Sequence, residues 1–316
     1  MTDGYAPEVV CLGETMVMLV TGNARPIAAD SRLVLRVGGA ESNVAVSLAR
    51  LGHRTRWVSA VGKDPFGRII LDELTDAGVD VSWVTTDDAA STGLYAKDPH
   101  GESTRVYYYR GGSAASRMDV THLNPLSAQG ARVVHISGIT PALSEDCRGL
   151  THAVVGDRVL GPAAVSFDVN YRPGLWPVSE AADELAVIAR QADIVFVGRD
   201  EAETLWGTAS PEAVRALLPE PRTLVVKDGA TGATAFGPDG ASWADALRVN
   251  VVEPVGAGDA FAAGWLSGWM RGLDSERALR LGHLMASRAV QIVGDCPQAP
   301  TQDEIRRHLD LEQEKR

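Results

Sequence analysis

A chain of 316 residues with 45% apolar residues can bury a large core, as one large α/β domain or as two domains. Its formal net charge of −11 argues against nucleic acid or a membrane surface as a partner, because either requires a basic footprint. We expect a cytoplasmic protein, because no apolar run could span a bilayer and residues 1–4 begin no signal-peptide pattern. Cys11, Cys147 and Cys296 are odd in number and lack metal-ligand spacing, so we expect them to be reduced thiols, as in the cytoplasm.

Short runs rich in β-branched residues alternate with helical patterns along most of the chain. The runs that predict strands cover residues 9–13, 55–61, 133–137, 163–168, 194–197 and 223–227. The helical patterns cover residues 42–51, 66–77, 181–191, 201–206 and 212–218. This alternation predicts a mostly parallel sheet with helices on both faces, which binds its ligand at the carboxyl ends of the strands.

Two segments depart from this alternation. Residues 31–37 and 92–110 alternate apolar and polar side chains, the latter around a turn at residues 98–101. Such a pattern indicates strands with one wet face, which do not fit the centre of a parallel sheet. We therefore predict a small antiparallel β lid, formed by residues 15–37 and 91–112, that lies over the main sheet. A lid would keep water from accepting a transferred phosphoryl group.

The run Pro254-Val255-Gly256-Ala257-Gly258-Asp259 is the most informative motif of the chain. Its two glycines allow a tight turn, and the apolar residues 260–270 that follow predict a buried helix. The unpaired N–H groups and the dipole at the start of that helix would stabilise an anion, with Asp259 beside it as a base. Such a site suits phosphoryl transfer to a hydroxyl. The alternative is a glycine-lined loop with Asp259 as the N-cap of a core helix.

Two further glycine motifs could contribute to the same chemistry. Gly38-Gly39 precedes a helix on which Asn43 offers both a hydrogen-bond donor and an acceptor for a hydroxyl group. Residues 227–232 end a predicted strand in a glycine-rich turn, for which the alternative is a β-turn with a solvated lysine. No Gly-x-x-x-x-Gly-Lys-Ser/Thr motif is present, so phosphate binding must depend on these loops and on residues 256–259.

Taken together, these motifs resemble the ribokinase-like (PfkB-type) carbohydrate kinases from residue 9 to about residue 294. The match consists of Gly38-Gly39 with Asn43, then Gly62 with Asp64 and Gly67, then residues 256–259, in the family's order and rough spacing. The resemblance implies a single three-layer ribokinase-like α/β domain over residues 1–316, with ATP and Mg2+ as co-substrates. It also implies that Asp259 is the catalytic base and that the N–H groups of Gly256, Ala257 and Gly258 form an anion hole. The residues implied for nucleotide binding are Asn170, Arg172, Lys227, Gly229, Gly232, Gly256, Gly258 and His283, with Glu201 contacting Mg2+ through water.

Residues of the lid and of one buried strand indicate which molecule accepts the phosphoryl group, here called the acceptor. Alternation places Tyr108 and Arg110 on one lid face, which Tyr95 could reach across the hairpin, and Arg172 follows the strand at 163–168. Two arginines favour a substrate carboxylate, which arginine binds bidentately. The run of residues 108–116 and the Asp-x-Asn-x-Arg pattern of residues 168–172 resemble the 2-keto-3-deoxygluconate kinases in particular. The resemblance implies that the sugar acid contacts Gly39, Asn43, Tyr95, Tyr108, Arg110, Arg172 and Asp259.

The acceptor and the catalytic role still have alternatives. Residues 15–18 hold no carboxylate of the kind that neutral-sugar kinases often place after the first strand, and this absence agrees with an acidic substrate. The rivals are phosphorylation of fructose or of another keto-deoxy sugar acid, and a non-catalytic sugar-acid sensor.

Three positions depart from the family pattern. Glu253 replaces the usual Asp and could alter a nearby K+ site, Gly198 replaces the usual Asn, and His283 replaces a common Asn. His283 is either a wall of the purine pocket or an ordinary helix histidine. We also expect a homo-oligomer, formed through the exposed edge of the lid.

Overall fold

A computed structural model describes residues 6–22, 25–100, 103–292, 294 and 296–310. Residues 1–4 and Gly101, which entered the sequence analysis, lie outside these ranges. Within them, no helix combines the length and apolar character needed to cross a membrane.

The strands form two sheets. In chain order they are β1 (Val9–Leu12), β2 (Met16–Thr21), β3 (Leu33–Gly38), β4 (Thr55–Gly62), β5 (Asp80–Asp87), β6 (Leu94–His100), β7 (Ser103–Tyr109), β8 (Val133–Ser137), β9 (Ala164–Asp168), β10 (Ile194–Gly198), β11 (Thr223–Asp228), β12 (Gly232–Gly237) and β13 (Gly240–Asp245). In the described residues, the larger sheet has the order β13-β12-β11-β10-β9-β8-β1-β4-β5. It is parallel from β5 to β11, and β12 and β13 add an antiparallel edge.

The smaller sheet, which we call the lid, has the strand order β3-β2-β6-β7. Its β2–β3 and β6–β7 pairs are antiparallel, whereas β2 and β6 run parallel to each other. The lid is therefore made by two segments that are distant in sequence. Strands β3, β6 and β7 lie where the alternating patterns predicted wet-faced strands, whereas β2 lies within the predicted lid range 15–37 but outside those patterns. Its outer strands β3 and β7 carry exposed apolar side chains.

Helices cover both faces of the larger sheet. They are α1 (Ala40–Arg50), α2 (Pro65–Asp76), α3 (Glu145–Val155), α4 (Val178–Gln191), α5 (Arg199–Trp206), α6 (Pro211–Leu217), α7 (Ala257–Met270), α8 (Ser275–Ala289) and α9 (Gln302–His308). Apolar side chains of α3 to α6 form one buried cluster with the sheet, and those of α1, α2, α7 and α8 form another. The layers are thus helices, sheet and helices, as the fold class predicted.

The strands and helices predicted from sequence are confirmed, with boundaries that shift by up to about three residues. The sequence patterns did not indicate β5, β12 and β13, which carry fewer β-branched residues or more exposed side chains, and they gave no bounds for α3, α8 and α9. The sequence analysis also placed the start of the helix after Asp259 too late. Because α7 begins at Ala257 with Gly256 as its N-cap, the alternative in which Asp259 is the N-cap is wrong.

Candidate active site

A cleft of about 710 Å3 opens at the carboxyl ends of β9, β10 and β11, and the lid forms its opposite wall. It brings together every residue that the sequence analysis assigned to a site. These are Gly39, Asn43, Tyr95, Tyr108, Arg110, Asn170, Arg172, Glu201, Lys227, Gly229, Gly232, Gly256, Ala257, Gly258, Asp259 and His283.

The loop before α7 provides the N–H groups of one end of the cleft. Gly256 has a φ of 80°, in the left-handed region that favours glycine, and this turn lets α7 begin at the next residue. The N–H groups at the start of a helix have no partner within it, so the N–H of Gly258 is available to an anion in the cleft. The N–H of Ala257 instead donates to the carbonyl of Pro254 at 3.4 Å. Asp259 lies in that first turn, beside these groups.

Asp259 is held by a side chain from another element. The Nδ2 amide of Asn43 on α1 donates a hydrogen bond of 2.8 Å to Oδ2 of Asp259. The Cys296 thiol donates to Oδ1 of Asn43 at 3.3 Å, which fixes the orientation of the amide. Gly39, the N-cap of α1, lies so close to the backbone of Glu14 that an added Cβ would come within 2.5 Å of its carbonyl oxygen. Close packing at Gly39 therefore sets the position of Asn43.

A lysine lies at the floor of the cleft, where β9 and β11 end. Nζ of Lys227 is 2.7 Å from Oδ2 of Asp168, and a Cβ added to Gly258 would lie 3.5 Å from Nζ. Burial alone would lower the pKa of Lys227, but the charges of Asp168, Glu201 and Asp259 raise it above its usual value. Lys227 therefore stays protonated beside the anion-binding loop.

Two carboxylates at this end of the cleft could serve a metal ion. Burial raises the pKa of Glu201, partly opposed by Lys227, and its Oε2 accepts a hydrogen bond from the N–H of Gly198 at 2.8 Å. Oδ1 of Asp168 is buried and has no hydrogen-bond partner among the described residues. Within the same residues no group of three or more His, Cys, Asp or Glu side chains is arranged so that it could hold a metal ion by itself. Mg2+ commonly binds through substrate phosphates and one or two carboxylates, so this set of oxygens fits it.

The residues after β9 turn sharply into the cleft. Asn170 has a φ of 40°, a left-handed conformation that asparagine tolerates better than most residues. Its side chain is buried, and its Oδ1 has no hydrogen-bond partner among the described residues. Arg172 is 49% exposed, with Nη1 3.9 Å from Oε1 of Glu201. Both side chains are placed to meet a polar ligand.

One part of the cleft, bordered by His283, suits a flat ring. His283 on α8 is buried, packs edge-on against Phe261 with ring centroids 5.0 Å apart, and donates from Nε2 to the carbonyl of Ala244 at 3.1 Å. Burial lowers the pKa of His283 to about 4, so the ring is neutral at pH 7. Gly229 and Gly232 border the same space.

The inner face of the lid carries the predicted aromatic residues. Tyr95 on β6 pairs directly with Tyr108 on β7, and their rings stack with centroids 5.8 Å apart. Cζ of Arg110 lies 5.8 Å from the centroid of the Tyr108 ring. The predicted convergence of Tyr95, Tyr108 and Arg110 is therefore observed.

Residues 15–18 hold no carboxylate, but one lies directly before them in the loop after β1. Glu14, one residue before the segment that was considered, is fully buried and forms an ion pair with Arg110. It also accepts a hydrogen bond of 2.6 Å from Ser113. Glu14 was missed because its partners lie about 100 residues away. It offsets part of the charge that Arg110 brings to the cleft.

A second lid cation was also missed. Lys97 follows Tyr95 by two residues on β6, lines the cleft, and forms an ion pair with Glu253. The same alternation that placed the tyrosines would have placed Lys97 on the cleft-facing side of β6. Asp168 and Asp200 also line the cleft without having been assigned a role.

Sequence comparison identifies the family to which the chain is similar. The family described as pfkB family carbohydrate kinase matches residues 6–302. A 2-dehydro-3-deoxygluconokinase of Bacillus subtilis is 36% identical over 94% of each chain, and one of Thermoproteus tenax is 35% identical over 93% of this chain and 91% of its own. A 2-dehydro-3-deoxygalactonokinase of Haloferax volcanii is 32% identical over 96% of each chain.

Solved structures agree in fold. A PfkB protein from Polaromonas sp. JS666 has a TM-score of 0.84 at 35% identity, with coverage of 95% of this chain and 99% of its own. A fructokinase with bound ATP from Xylella fastidiosa has a TM-score of 0.84 at 27% identity, with coverage of 97% of this chain and 99% of its own. The chain therefore belongs to the pfkB family of carbohydrate kinases and is an ATP-dependent sugar kinase.

Proposed function

We propose that this kinase phosphorylates the terminal 6-hydroxyl of 2-keto-3-deoxygluconate, also called 2-dehydro-3-deoxygluconate, with Asp259 as general base. The observation that carries the proposal is the position of Asp259 in the first turn of α7, hydrogen-bonded to Asn43 and facing a cleft with basic side chains on its lid and floor. The relatives named 2-dehydro-3-deoxygluconokinase support the choice of acceptor.

The proposed reaction transfers the γ-phosphoryl group of ATP to the acceptor. Asp259 takes the proton of the acceptor hydroxyl as its oxygen bonds to the γ-phosphorus, and the bond from phosphorus to the bridging oxygen breaks to release ADP. The N–H groups of Gly256, Ala257 and Gly258, with the Lys227 ammonium, stabilise the charge on the moving group. Mg2+, when bound, neutralises phosphate charge, and Glu201 would hold it through water.

Nucleotide binding is proposed for the part of the cleft that His283 borders. There Asn170, Gly229 and Gly232 would line the nucleotide site, and neutral His283 would form one wall of the purine pocket. Arg172, being half exposed, is proposed to contact either a phosphate or the acceptor. The neighbouring fructokinase that carries ATP supports nucleotide use by this fold.

The preference for a sugar acid depends on the charge at the lid. Arg110 and Arg172 are proposed to bind the acceptor carboxylate, with Tyr95, Tyr108 and Gly39 against the rest of the sugar. Since Glu14 neutralises part of the charge of Arg110, the half-exposed Arg172 is proposed as the second cation for the acceptor carboxylate. Fructose and other keto-deoxy sugar acids are the alternative acceptors, and a catalytically silent sugar-acid sensor is the alternative from outside enzymology.

A panel of acceptors tests this proposal. ADP release from Mg-ATP is measured with 2-keto-3-deoxygluconate, 2-keto-3-deoxygalactonate, fructose, ribose and no acceptor. We expect the highest kcat/KM for 2-keto-3-deoxygluconate. Faster turnover of fructose would overturn the choice of a sugar acid, and binding of the acid without ADP release would establish the sensor.

The K+ requirement that the resemblance implies stays a prediction. The carboxylate of Glu253, at the position concerned, already bonds the ammonium of Lys97, so a cation there would share that carboxylate. Replacing KCl with NaCl or choline chloride at constant ionic strength tests the requirement. Loss of activity would establish it, and unchanged activity would remove it.

We also propose that the protein is cytoplasmic, where ATP is available and thiols stay reduced.

A further proposal is that the protein self-associates through the lid. The exposed apolar side chains Leu33, Leu35, Tyr107 and Tyr109 lie on the outer lid strands. Strand edges with such side chains favour pairing with another chain. Light scattering after gel filtration should show a dimer that Leu35→Glu makes monomeric. A monomeric wild type would refute the interface.

A further inference from the structure

A largely buried ion pair connects the lid to the loop that precedes α7. The ammonium of Lys97 on β6 bonds the carboxylate of Glu253, and the two side chains are only 8% and 19% exposed. Glu253 lies three residues before Gly256, whose turn sets the start of α7. The ion pair therefore links the wall that covers the acceptor to the loop proposed to stabilise the moving phosphoryl group.

On the lid side, Lys97 belongs to the face that lines the cleft. It is two residues from Tyr95 on the same strand, and it pairs in register with Val106, two residues from Tyr108. All four side chains line the cleft. A ligand that contacts the tyrosines would therefore affect the strand that holds Lys97.

On the loop side, Glu253 has little freedom to move alone. The N–H groups of Val252 and Glu253 both donate to the carbonyl of Val290, at 2.7 and 3.2 Å, which ties the loop to the end of α8. Pro254 follows with a restricted φ, and its carbonyl accepts from the N–H of Ala257 at 3.4 Å. A displacement of the Glu253 side chain is therefore passed to the residues that form the proposed anion hole.

We propose that Lys97 and Glu253 are positioning residues that couple acceptor binding under the lid to the placement of the N–H groups of residues 256–258. The proposal rests on the proposed function, because it uses that loop as the anion hole. A buried charge without its partner is costly, so the ion pair favours the arrangement in which lid and loop are both in place. The consequence is that the loop is best arranged for transfer when an acceptor, rather than water, occupies the cleft.

A direct contact between Lys97 and the acceptor is the competing role. In that role, Lys97→Met would raise the KM of the acceptor, whereas Glu253→Gln would leave it nearly unchanged. Coupling through the ion pair predicts a different pattern, in which both variants lose kcat to a similar extent and neither changes the KM of the acceptor by much. Kinetic parameters of the two variants therefore separate the roles.

The test is a double-mutant cycle of Lys97→Met and Glu253→Gln, with kcat and KM measured for both substrates. We expect each single variant to lose about tenfold in kcat, which corresponds to about 1.4 kcal/mol, with KM changed by no more than about twofold. The double variant should lose no more than either single variant, because the interaction is already absent. The exchanged pair Lys97→Glu with Glu253→Lys should recover part of the activity. Lys63→Met is the matched control, because Lys63 forms an exposed ion pair with Asp88 outside the cleft.

Amide hydrogen exchange gives a readout that needs no turnover. In the wild type, 2-keto-3-deoxygluconate, or the acceptor that the panel identifies, should slow exchange in the peptide that covers residues 252–258. Each single variant should lose this effect while still binding the acceptor. Additive losses in the double variant, or an exchange effect that survives in both single variants, would overturn the coupling. Neither result would bear on Asp259 as the base, so the two proposals can fail separately.

Discussion

Replacing Arg110 with Met should reduce both stability and the use of a sugar acid, for separate reasons. In the protein Arg110 is 10% exposed and pairs with Glu14, which is fully buried. Without the guanidinium, Glu14 keeps its 2.6 Å hydrogen bond from Ser113 but remains as a buried charge. Breaking such a pair costs about 3 kcal/mol, so the free energy of unfolding should fall by about that amount.

The double variant Arg110→Met with Glu14→Gln isolates the functional part of the effect. It removes both charges, and replacing a buried ion pair with uncharged groups of similar volume is often nearly neutral for stability. The acceptor carboxylate, however, still loses its charged hydrogen bonds to Arg110, which are worth about 1.5–3 kcal/mol. The kcat/KM for 2-keto-3-deoxygluconate should therefore fall by about 10- to 100-fold, while any activity on fructose changes little.

Urea unfolding and coupled ADP release measure the two quantities on the same preparations. Tyr109→Phe is a suitable control, because Tyr109 is a strongly exposed lid residue that does not line the cleft. An unchanged kcat/KM for the sugar acid in the double variant would refute Arg110 as a carboxylate ligand. An Arg110→Met variant as stable as the wild type would refute the energetic role of its pair with Glu14.

Three further predictions concern the loop, the cleft floor and the core. Gly256→Ala should lower the free energy of unfolding by about 1–2 kcal/mol in urea titrations, because alanine is strained at a φ of 80°. A variant as stable as the wild type would contradict the left-handed conformation of residue 256. Lys227→Met should weaken ATP binding in calorimetry, since it removes the ammonium beside the loop and leaves Asp168 unpaired; unchanged affinity would exclude Lys227 from the nucleotide site. Burial lowers the pKa of His135 to about 4, so the unfolded state binds more protons as pH falls from about 6.5 to 4. The unfolding free energy should then fall by at most about 3 kcal/mol from this group, and His135→Asn should flatten the pH dependence; an unchanged slope would contradict it.

The local patterns of the sequence were sufficient for most of the fold. Continuous β-branched runs such as β8 and β10 place apolar side chains on both faces of a strand, which are buried only in a sheet covered on both sides. The alternation of apolar and polar residues in β6 and β7 identified the lid. The hairpin of β12 and β13 was missed because its glycines, alanines and exposed residues give little periodic signal. These two strands form because their backbones pair with β11 and with each other.

The candidate site divides in the same way. The glycine turn and Asp259 lie within one short motif, so the sequence predicted their proximity directly. The pairs of Glu14 with Arg110 and of Lys97 with Glu253 join segments about 100 and 156 residues apart, and each partner alone looks like an ordinary surface charge. Only the folded chain shows that these carboxylates lie behind the lid cations and change the electrostatics of the cleft.

The most direct test of the account is the kcat of Asp259→Asn. The substituted amide oxygen can still accept the hydrogen bond from Asn43, so the loop should be preserved while the base is lost. We predict that kcat for the preferred acceptor falls by about 10²- to 10⁴-fold, whereas the calorimetric affinity for Mg-ATP stays within about twofold. A variant that retains ADP release within about threefold of the wild type would contradict Asp259 as the general base.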